Sequence, residues 1–213
     1  MRRLPVYLVL DTSASMFGAP IKAVASGVST LMGALRQDPY ALESAYLSVI
    51  TFSNDANLAV PLTDLVSFQE PEIKAQGMTA LGGALRLLST RIKEEVQTGS
   101  ADKKGDWKPL IFLMTDGAPN DDWEPAVEEF STVPTAIVVA CAVGEHADVS
   151  VLKRITENVI RIDNNDPEAF AAFFKWVSSS VSNTSKKVDL TKKDVDNKMD
   201  ELPPPPPEVT VVL

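Results

Sequence analysis

The feature that most limits the folds open to this chain is a set of four short apolar runs with few polar residues among them. They cover Leu4–Leu10, Leu47–Phe52, Leu110–Met114 and Ala136–Val143. A strand that reads as an almost unbroken apolar run is buried on both faces, and such strands are typical of parallel sheets covered by helices. The four runs therefore predict the centre of a parallel β-sheet.

Weaker signals complete the predicted sheet and surround it with helices. A short edge strand is predicted at Asn57–Leu62, because the turn residues SNDA would let it pair with the second run, and a last strand is predicted at Val159–Ile162. Segments with helical spacing lie between the strands, at Ile21–Leu35, Leu81–Val96, Glu124–Phe130, Val149–Glu157 and Pro167–Val181. Strands that alternate with helices predict an α/β fold of the doubly wound class, with a mostly parallel central sheet and helices on both faces.

The length of the chain, 213 residues, suffices for one well-buried α/β core and is short for two domains with linkers. We therefore predict a single domain over residues 1–184 and a polar, proline-rich C-terminal tail over residues 185–213. Within the tail, Pro203–Pro207 predict an extended polyproline II segment, and the remainder is expected to be either disordered or docked. A proline run is typical of a ligand for an aromatic groove or of a spacer, and without flanking specificity the spacer is favoured.

Charge and cysteine usage exclude several classes of partner. A formal net charge of -9 argues against a surface for nucleic acid or for an anionic membrane. The single cysteine, Cys141, lies in an apolar run, so we expect a buried, inert thiol and no disulfide framework. The apolar run after Arg2 and Arg3 is short for a secretion signal, and no stretch approaches the roughly 18 apolar residues of a membrane span. These features predict a cytoplasmic protein.

Oxygen-bearing side chains follow the ends of two predicted strands. Asp11 ends the first apolar run, and Ser13 and Ser15 follow it in VLDTSASM. Asp116 ends another run in LMTDG, and Thr79 lies in the glycine-flanked loop GMTALGGAL before a predicted helix. Ligands of open α/β sheets bind at the carboxyl ends of the strands, which places such side chains at a binding crevice. Carboxylates and hydroxyls suit one hard divalent cation, and Mg²⁺ or Mn²⁺ is favoured over Ca²⁺.

Catalytic interpretations fit these residues less well. Two carboxylates can share protons, but catalysis also needs a polarised substrate site and usually a nucleophile or a histidine base within reach. The one histidine, His146, is predicted to be exposed in a polar loop. A phosphotransferase of the haloacid-dehalogenase type is the main alternative, but its motif needs a second aspartate where this chain has Ser13. The chain has no G-x-x-x-x-G-K-[ST] loop, and DTSASMFG follows the first strand where a dinucleotide site needs G-x-G-x-x-G.

Taken together, DTSAS, the Thr79 loop and TDG resemble the three loops of the metal-ion-dependent adhesion site of von Willebrand factor A domains. The stretches PVYLVLDTSASM, VITFSNDA, TALGGAL and KGDWKPLIFLMTDGAPNDDW are in addition similar to the bacterial TerY family, small cytoplasmic proteins linked to tellurium resistance and stress response. Ala14 departs from the many relatives that have glycine at this position. The resemblance covers most of residues 4 to 184 and implies a binding module, not an enzyme.

The resemblance also implies a role for each loop. Ser13 and Ser15 would bind the cation directly, and Thr79 would bind it directly or through water. Asp11 and Asp116 would act directly or through bound waters. A partner protein would supply a carboxylate to the open coordination position. The TerY resemblance further implies a scaffold or regulated client in a signalling unit with a protein kinase and a PP2C-type phosphatase, and not an extracellular adhesion module.

Overall fold

The computed structural model describes residues 2–100, 104–163, 166–191 and 193–212. Within them, seven strands form one sheet: β1 (Leu4–Asp11), β2 (Ala45–Phe52), β3 (Ala56–Asp64), β4 (Leu110–Thr115), β5 (Val138–Val143), β6 (Val159–Ile162) and β7 (Thr210–Val212). Their order across the sheet is β3-β2-β1-β4-β5-β6-β7. Among the described residues, only the edge strands β3 and β7 pair antiparallel, and all neighbouring strands from β2 across to β6 pair parallel. The predicted doubly wound, mostly parallel sheet is confirmed.

Helices cover both faces of this sheet. In the described residues they are α1 (Ala19–Gln37), α2 (Pro39–Ser44), α3 (Leu81–Glu95), α4 (Glu124–Ser131), α5 (Val149–Ile155) and α6 (Pro167–Thr191), with short 3₁₀ turns at Ala14–Met16 and Met199–Glu201. Successive side chains of β1 alternate between two cores. Leu8 belongs to the core formed with α1 and α6, and Val9 belongs to the core formed with α3 and α4. The prediction of helices on both faces is therefore also confirmed.

Helices α1 and α6 lie side by side on one face, and Gly27 permits their close approach. A Cβ atom added at Gly27 would overlap the ring of Phe174, which is fully buried in the same core. On the central sheet, Cys141 in β5 is also fully buried, and burial raises the pKa of its thiol, as expected of an unreactive cysteine. Among the described residues, no helix combines the length and the apolar character needed to cross a membrane.

The end of the last helix is the main correction to the predicted elements. The prediction that it ends at Val181 is wrong, because α6 continues to Thr191. The predicted boundary between domain and tail, at residue 184, lies inside this helix. The added turns carry polar side chains that hide the helical pattern, yet Thr184, Ser185 and Val188 are all buried.

A second difference is α2, which the apolar pattern does not predict. Asp38 caps this short helix by accepting a hydrogen bond from the Ala41 N–H at 2.9 Å, and Pro39 occupies its first turn. Capping residues and not an apolar face therefore mark its start, although the helix packs against α6 and α1.

The described part of the tail is docked on the domain. Its last strand, β7, pairs with β6, and Val195, Leu202 and Val209 are buried. The indole Nε1 of Trp176 in α6 donates a hydrogen bond to the carbonyl oxygen of Pro203 at 2.8 Å, which holds the start of the proline run against the last helix. Of the two alternatives considered for the tail, the structure shows the docked one.

Candidate metal centre

The carboxyl ends of the parallel strands line one end of the sheet, which we call the carboxyl edge. The last residue of β1 places a fully buried carboxylate there. Asp11 is the last residue of β1, and its Oδ1 accepts a hydrogen bond from the backbone N–H of Ser13 at 2.7 Å. Its Oδ2 accepts a hydrogen bond from the hydroxyl of Thr115 at 2.5 Å. Because Thr115 ends β4, the parallel neighbour of β1, the two residues meet at the same edge of the sheet.

The second carboxylate comes from the residue that follows β4. Oδ1 of Asp116 accepts a hydrogen bond from the Ser15 hydroxyl at 2.7 Å and a longer one from the Ser13 hydroxyl at 3.5 Å. The two serine hydroxyl oxygens are 2.9 Å apart. Ser13 therefore contacts both carboxylates, one through its N–H and one through its hydroxyl.

Thr79 reaches the same edge from the loop before α3. Its N–H donates to Oδ1 of Asn120 at 3.2 Å, and its carbonyl oxygen accepts a hydrogen bond from the Asn120 N–H, also at 3.2 Å. A Cβ atom at Gly117 would lie 3.5 Å from Oγ1 of Thr79, so this hydroxyl lies beside the residue that follows Asp116. The structure thus gathers all of the predicted side chains at one edge, while their role as metal ligands stays a prediction.

Two residues that support this arrangement were not predicted. Thr115 orients Asp11, and the signal for it is a polar residue that ends an otherwise apolar strand. Asn120 holds the backbone of Thr79 through both of its hydrogen bonds. No spacing in the sequence points to Asn120, because the two residues come from loops that are far apart along the chain.

A third unpredicted residue, Asp121, joins the loop after β4 to the start of α3. Its carboxylate accepts hydrogen bonds from the N–H of Gly82 at 3.0 Å and from that of Gly83 at 2.8 Å. A Cβ atom at Gly82 would lie 2.7 Å from the carbonyl oxygen of Asp122, so the approach needs a glycine. Asp121 therefore serves the first turn of α3 and is not a candidate ligand.

Burial determines the electrostatics of the two carboxylates. It raises the pKa of Asp11, with a further increase from the charge of Asp116, although hydrogen bonds from Ser13 and Thr115 partly offset this shift. Burial also raises the pKa of Asp116. Hydrogen bonds from Ser15 and Ser13 and the charge of His146 oppose this shift. His146 is exposed, as predicted. Within the described residues, neither carboxylate forms an ion pair with a basic side chain.

The donor set suits a hard cation. In the part of the chain that the structure describes, no three His, Cys, Asp or Glu side chains gather in a way that could hold a metal ion. A site at this edge would therefore depend on hydroxyl oxygens in addition to its two carboxylates. Oxygen donors of both kinds are the ligands that Mg²⁺ takes in proteins, and two negative charges match the charge of a divalent ion.

The fold and this oxygen-lined edge define a class of protein, and comparison with known families agrees. The chain matches the von Willebrand factor type A domain over residues 6–175. It therefore belongs to the von Willebrand factor type A domain family, which confirms the resemblance at the level of the domain.

Known proteins similar to this chain share its fold. A von Willebrand factor type A protein from Catenulispora acidiphila has a TM-score of 0.66 at 18% identity, over 85% of this chain and 43% of that one. The pilus adhesin SpaC from Lactobacillus rhamnosus GG, in its open conformation, has a TM-score of 0.67 at 14% identity, over 86% of this chain and 30% of that one. An uncharacterised protein from Synechocystis sp. is 30% identical over 164 residues, which are 72% of this chain and 36% of that protein. The chain spans less than half the length of each.

Proposed function

We propose that this chain is a protein-interaction module that holds one divalent cation at the carboxyl edge of its sheet and binds an acidic group of a partner through it. The proposed ligands are Asp11, Ser13, Ser15, Thr79 and Asp116. The observation that carries this proposal is a pair of buried carboxylates that are both held by Ser13, Asp11 through its N–H and Asp116 through its hydroxyl, and that form no ion pair within the described residues. Mg²⁺ is the favoured ion, and Mn²⁺ and Ca²⁺ are the alternatives.

The burial of the ligands indicates which side of the site a partner would reach. Asp11 is fully buried and its carboxylate oxygens are held by Ser13 and Thr115, so it forms the base of the site. Ser15 is exposed and lies on the solvent side. A bound cation supplies an electrophilic position at which a water can be exchanged for a carboxylate oxygen. The exposed serine side is where a partner's acidic group would approach.

A binding role accounts for these residues better than the phosphotransferase alternative does. Ser13 stands where that chemistry needs a second aspartate, and its hydroxyl contacts Asp116 and Ser15. His146 is exposed, and its charge lowers the pKa of Asp116. The described residues at this edge therefore offer ligands for a cation, and position 13 lacks the second aspartate that would act as acid and base in phosphotransfer.

The TerY resemblance supports a finer proposal about the cellular setting. The chain would act in the cytoplasm, in a tellurium-resistance or stress-response system, as a scaffold or client of a protein kinase and a PP2C-type phosphatase. Co-purification from the native host, with an intact metal site, is expected to recover at least one of these enzymes. Recovery of neither would contradict this setting and would leave the metal-dependent binding role unaffected.

Isothermal titration of metal-stripped protein with Mg²⁺ and with Mn²⁺ tests the central proposal. We expect one-to-one binding by the wild type and its loss in a variant that carries both Asp11→Asn and Asp116→Asn. The variant keeps the shape of both side chains and removes two charges that burial disfavours, so it should remain folded by circular dichroism.

The matched control is Glu43→Gln, an exposed acidic residue in the helix before β2, at the opposite edge of the sheet. It should bind both ions as the wild type does. A folded wild type that shows neither heat of binding nor thermal stabilisation with either ion would contradict the metal centre.

A further inference from the structure

We propose that Phe17 and Met78 form, together with the metal centre, a docking surface for a partner segment in which an acidic side chain is flanked by apolar side chains. This inference rests on the proposed function, because the acidic side chain is the one that would reach the cation. The surface adds a second requirement on the partner, an apolar contact beside the acidic one. We call these two residues the apolar pair.

Both members of the apolar pair project into solvent beside candidate ligands. Phe17 is 80% exposed and Met78 is 58% exposed. Phe17 lies two residues after Ser15, and Met78 directly precedes Thr79. Since successive Cα atoms are about 3.8 Å apart, each member lies within about 8 Å of a candidate ligand, measured between Cα atoms.

Backbone hydrogen bonds tie the two loops that carry the apolar pair. The N–H of Ala14 donates to the carbonyl oxygen of Gly77 at 3.0 Å, and the N–H of Gln76 donates to that of Thr12 at 2.8 Å. Ala14 lies three residues before Phe17, and Gly77 directly precedes Met78. The apolar pair therefore sits on two loops in contact with each other, not at separate ends of the molecule.

The backbone of each member is anchored, so its exposure is not the result of a fraying segment. The N–H of Phe17 donates to the carbonyl oxygen of Ala14 at 3.1 Å, and the N–H of Met78 donates to Oδ1 of Asn54 at 3.0 Å. Single exposed apolar side chains are ordinary on protein surfaces. Two of them on touching, anchored loops around a candidate binding site are a feature of the site itself.

The net charge of the chain favours a partner segment with few acidic side chains. The formal net charge is -9, so a strongly acidic partner is repelled as it approaches. At physiological ionic strength the Debye length is about 8 Å, so this repulsion acts mainly within that distance. There, contact with the cation and the burial of apolar surface oppose it. A single carboxylate between apolar side chains gains both short-range contributions and adds little to the repulsion.

Selection from a displayed library of random twelve-residue peptides, with the full chain in Mg²⁺, tests the docking surface. We expect the selected peptides to contain an acidic residue within three positions of an aromatic or large aliphatic one, and to be released by EDTA. Synthetic copies should bind a variant with Phe17→Ser and Met78→Ser at least about tenfold more weakly, as for an interface hot spot. The Mg²⁺ affinity of that variant should be unchanged.

Val66→Ser provides the matched control. Val66 is 74% exposed and follows β3, whose end pairs with the start of β2, so it lies at the opposite edge of the sheet. This variant should bind the peptides as tightly as the wild type does.

Each other outcome has a distinct meaning. EDTA-sensitive peptides that lack apolar neighbours, or that bind the serine variant with unchanged affinity, would overturn the docking surface and leave the proposed function standing. Peptides that bind with equal affinity in EDTA and to the Asp116→Asn variant would contradict the proposed function itself. A selection that yields no binders would overturn the docking surface, while titration with Mg²⁺ would still decide the metal centre.

Discussion

Thr115 and Asp11 end neighbouring parallel strands, and the hydroxyl of Thr115 donates a hydrogen bond of 2.5 Å to Oδ2 of Asp11. Both residues are buried. Because the opposite oxygen of Asp11 accepts the N–H of Ser13, the carboxylate is held on both sides by the domain. Thr115 is thus a positioning residue for the deepest candidate ligand of the site.

The variant Thr115→Val tests this positioning role. Valine keeps the shape of threonine but cannot donate a hydrogen bond, so Asp11 should lose part of its orientation and its pKa should rise further. Loss of a partner that orients a metal ligand typically weakens metal binding by about tenfold or more, and we expect a Mg²⁺ dissociation constant raised by that factor. Titration calorimetry measures the change.

The control for this prediction is Thr63→Val. Thr63 is partly buried in β3, and its hydroxyl bonds the carbonyl oxygen of Pro61, near the opposite edge of the sheet. It should leave Mg²⁺ affinity unchanged. Equal affinities for the wild type and Thr115→Val would show that Thr115 does not position the ligand.

The stability of the metal-free protein should depend on pH through Asp116. Burial raises the pKa of this carboxyl, so the folded protein holds the proton more tightly than the unfolded chain does. By linkage, its contribution to stability is complete below the unfolded pKa and is lost as the pH rises through the raised folded pKa. In EDTA, the free energy of unfolding of the wild type, relative to Asp116→Asn, should therefore fall as the pH rises above about 4.

Urea denaturation at a series of pH values measures this difference. Saturating Mg²⁺ should reverse its sign near neutral pH, because an ion at a hundredfold excess over its dissociation constant stabilises the folded state by about 2.7 kcal/mol. A difference that does not change with pH would mean that the Asp116 carboxyl is not shifted by burial.

Asp121 should contribute to stability through the start of α3. Its carboxylate accepts the N–H groups of Gly82 and Gly83, which are left without helical partners in the first turn. Removal of a cap of this kind costs about 1 kcal/mol, and we expect Asp121→Ala to lose about 1–2 kcal/mol of unfolding free energy in urea. Asp122→Ala, a change at the exposed neighbour, should lose much less; equal losses would contradict the capping role.

The central strands and the candidate site were predictable because their signals are local. Unbroken apolar runs gave the parallel strands, and Asp11 and Asp116 follow from the rule that ligands gather at the carboxyl ends of such strands. The resemblance to the three loops of von Willebrand factor A domains added Thr79 from the sequence alone. These features depend on residues close together along the chain.

The parts that were missed depend on contacts between distant segments. The late turns of α6 are buried through Thr184 and Ser185, whose polarity conceals their position in the core. Strand β7 has only three residues, and it is defined by its pairing with β6 instead of by its own pattern. The exposure of Phe17 could not be predicted from the sequence either, because an apolar residue next to the buried Met16 is ordinarily assigned to the core.

The hydrogen bond between Trp176 and Pro203 should control how firmly the tail is held. Trp176→Phe keeps an aromatic ring in the core but removes the indole donor, so the carbonyl oxygen of Pro203 loses its partner. A hydrogen bond of this kind is worth about 1 kcal/mol, and we expect a loss of that size together with faster amide hydrogen exchange in β7 and the part of β6 that pairs with it. Trp123→Phe, in a half-buried tryptophan at the start of α4, should leave exchange in β7 unchanged. If Trp176→Phe changes stability but not exchange in β7, the strand is held by its pairing with β6 and by its buried neighbours, and the proline run does not hold the tail in place.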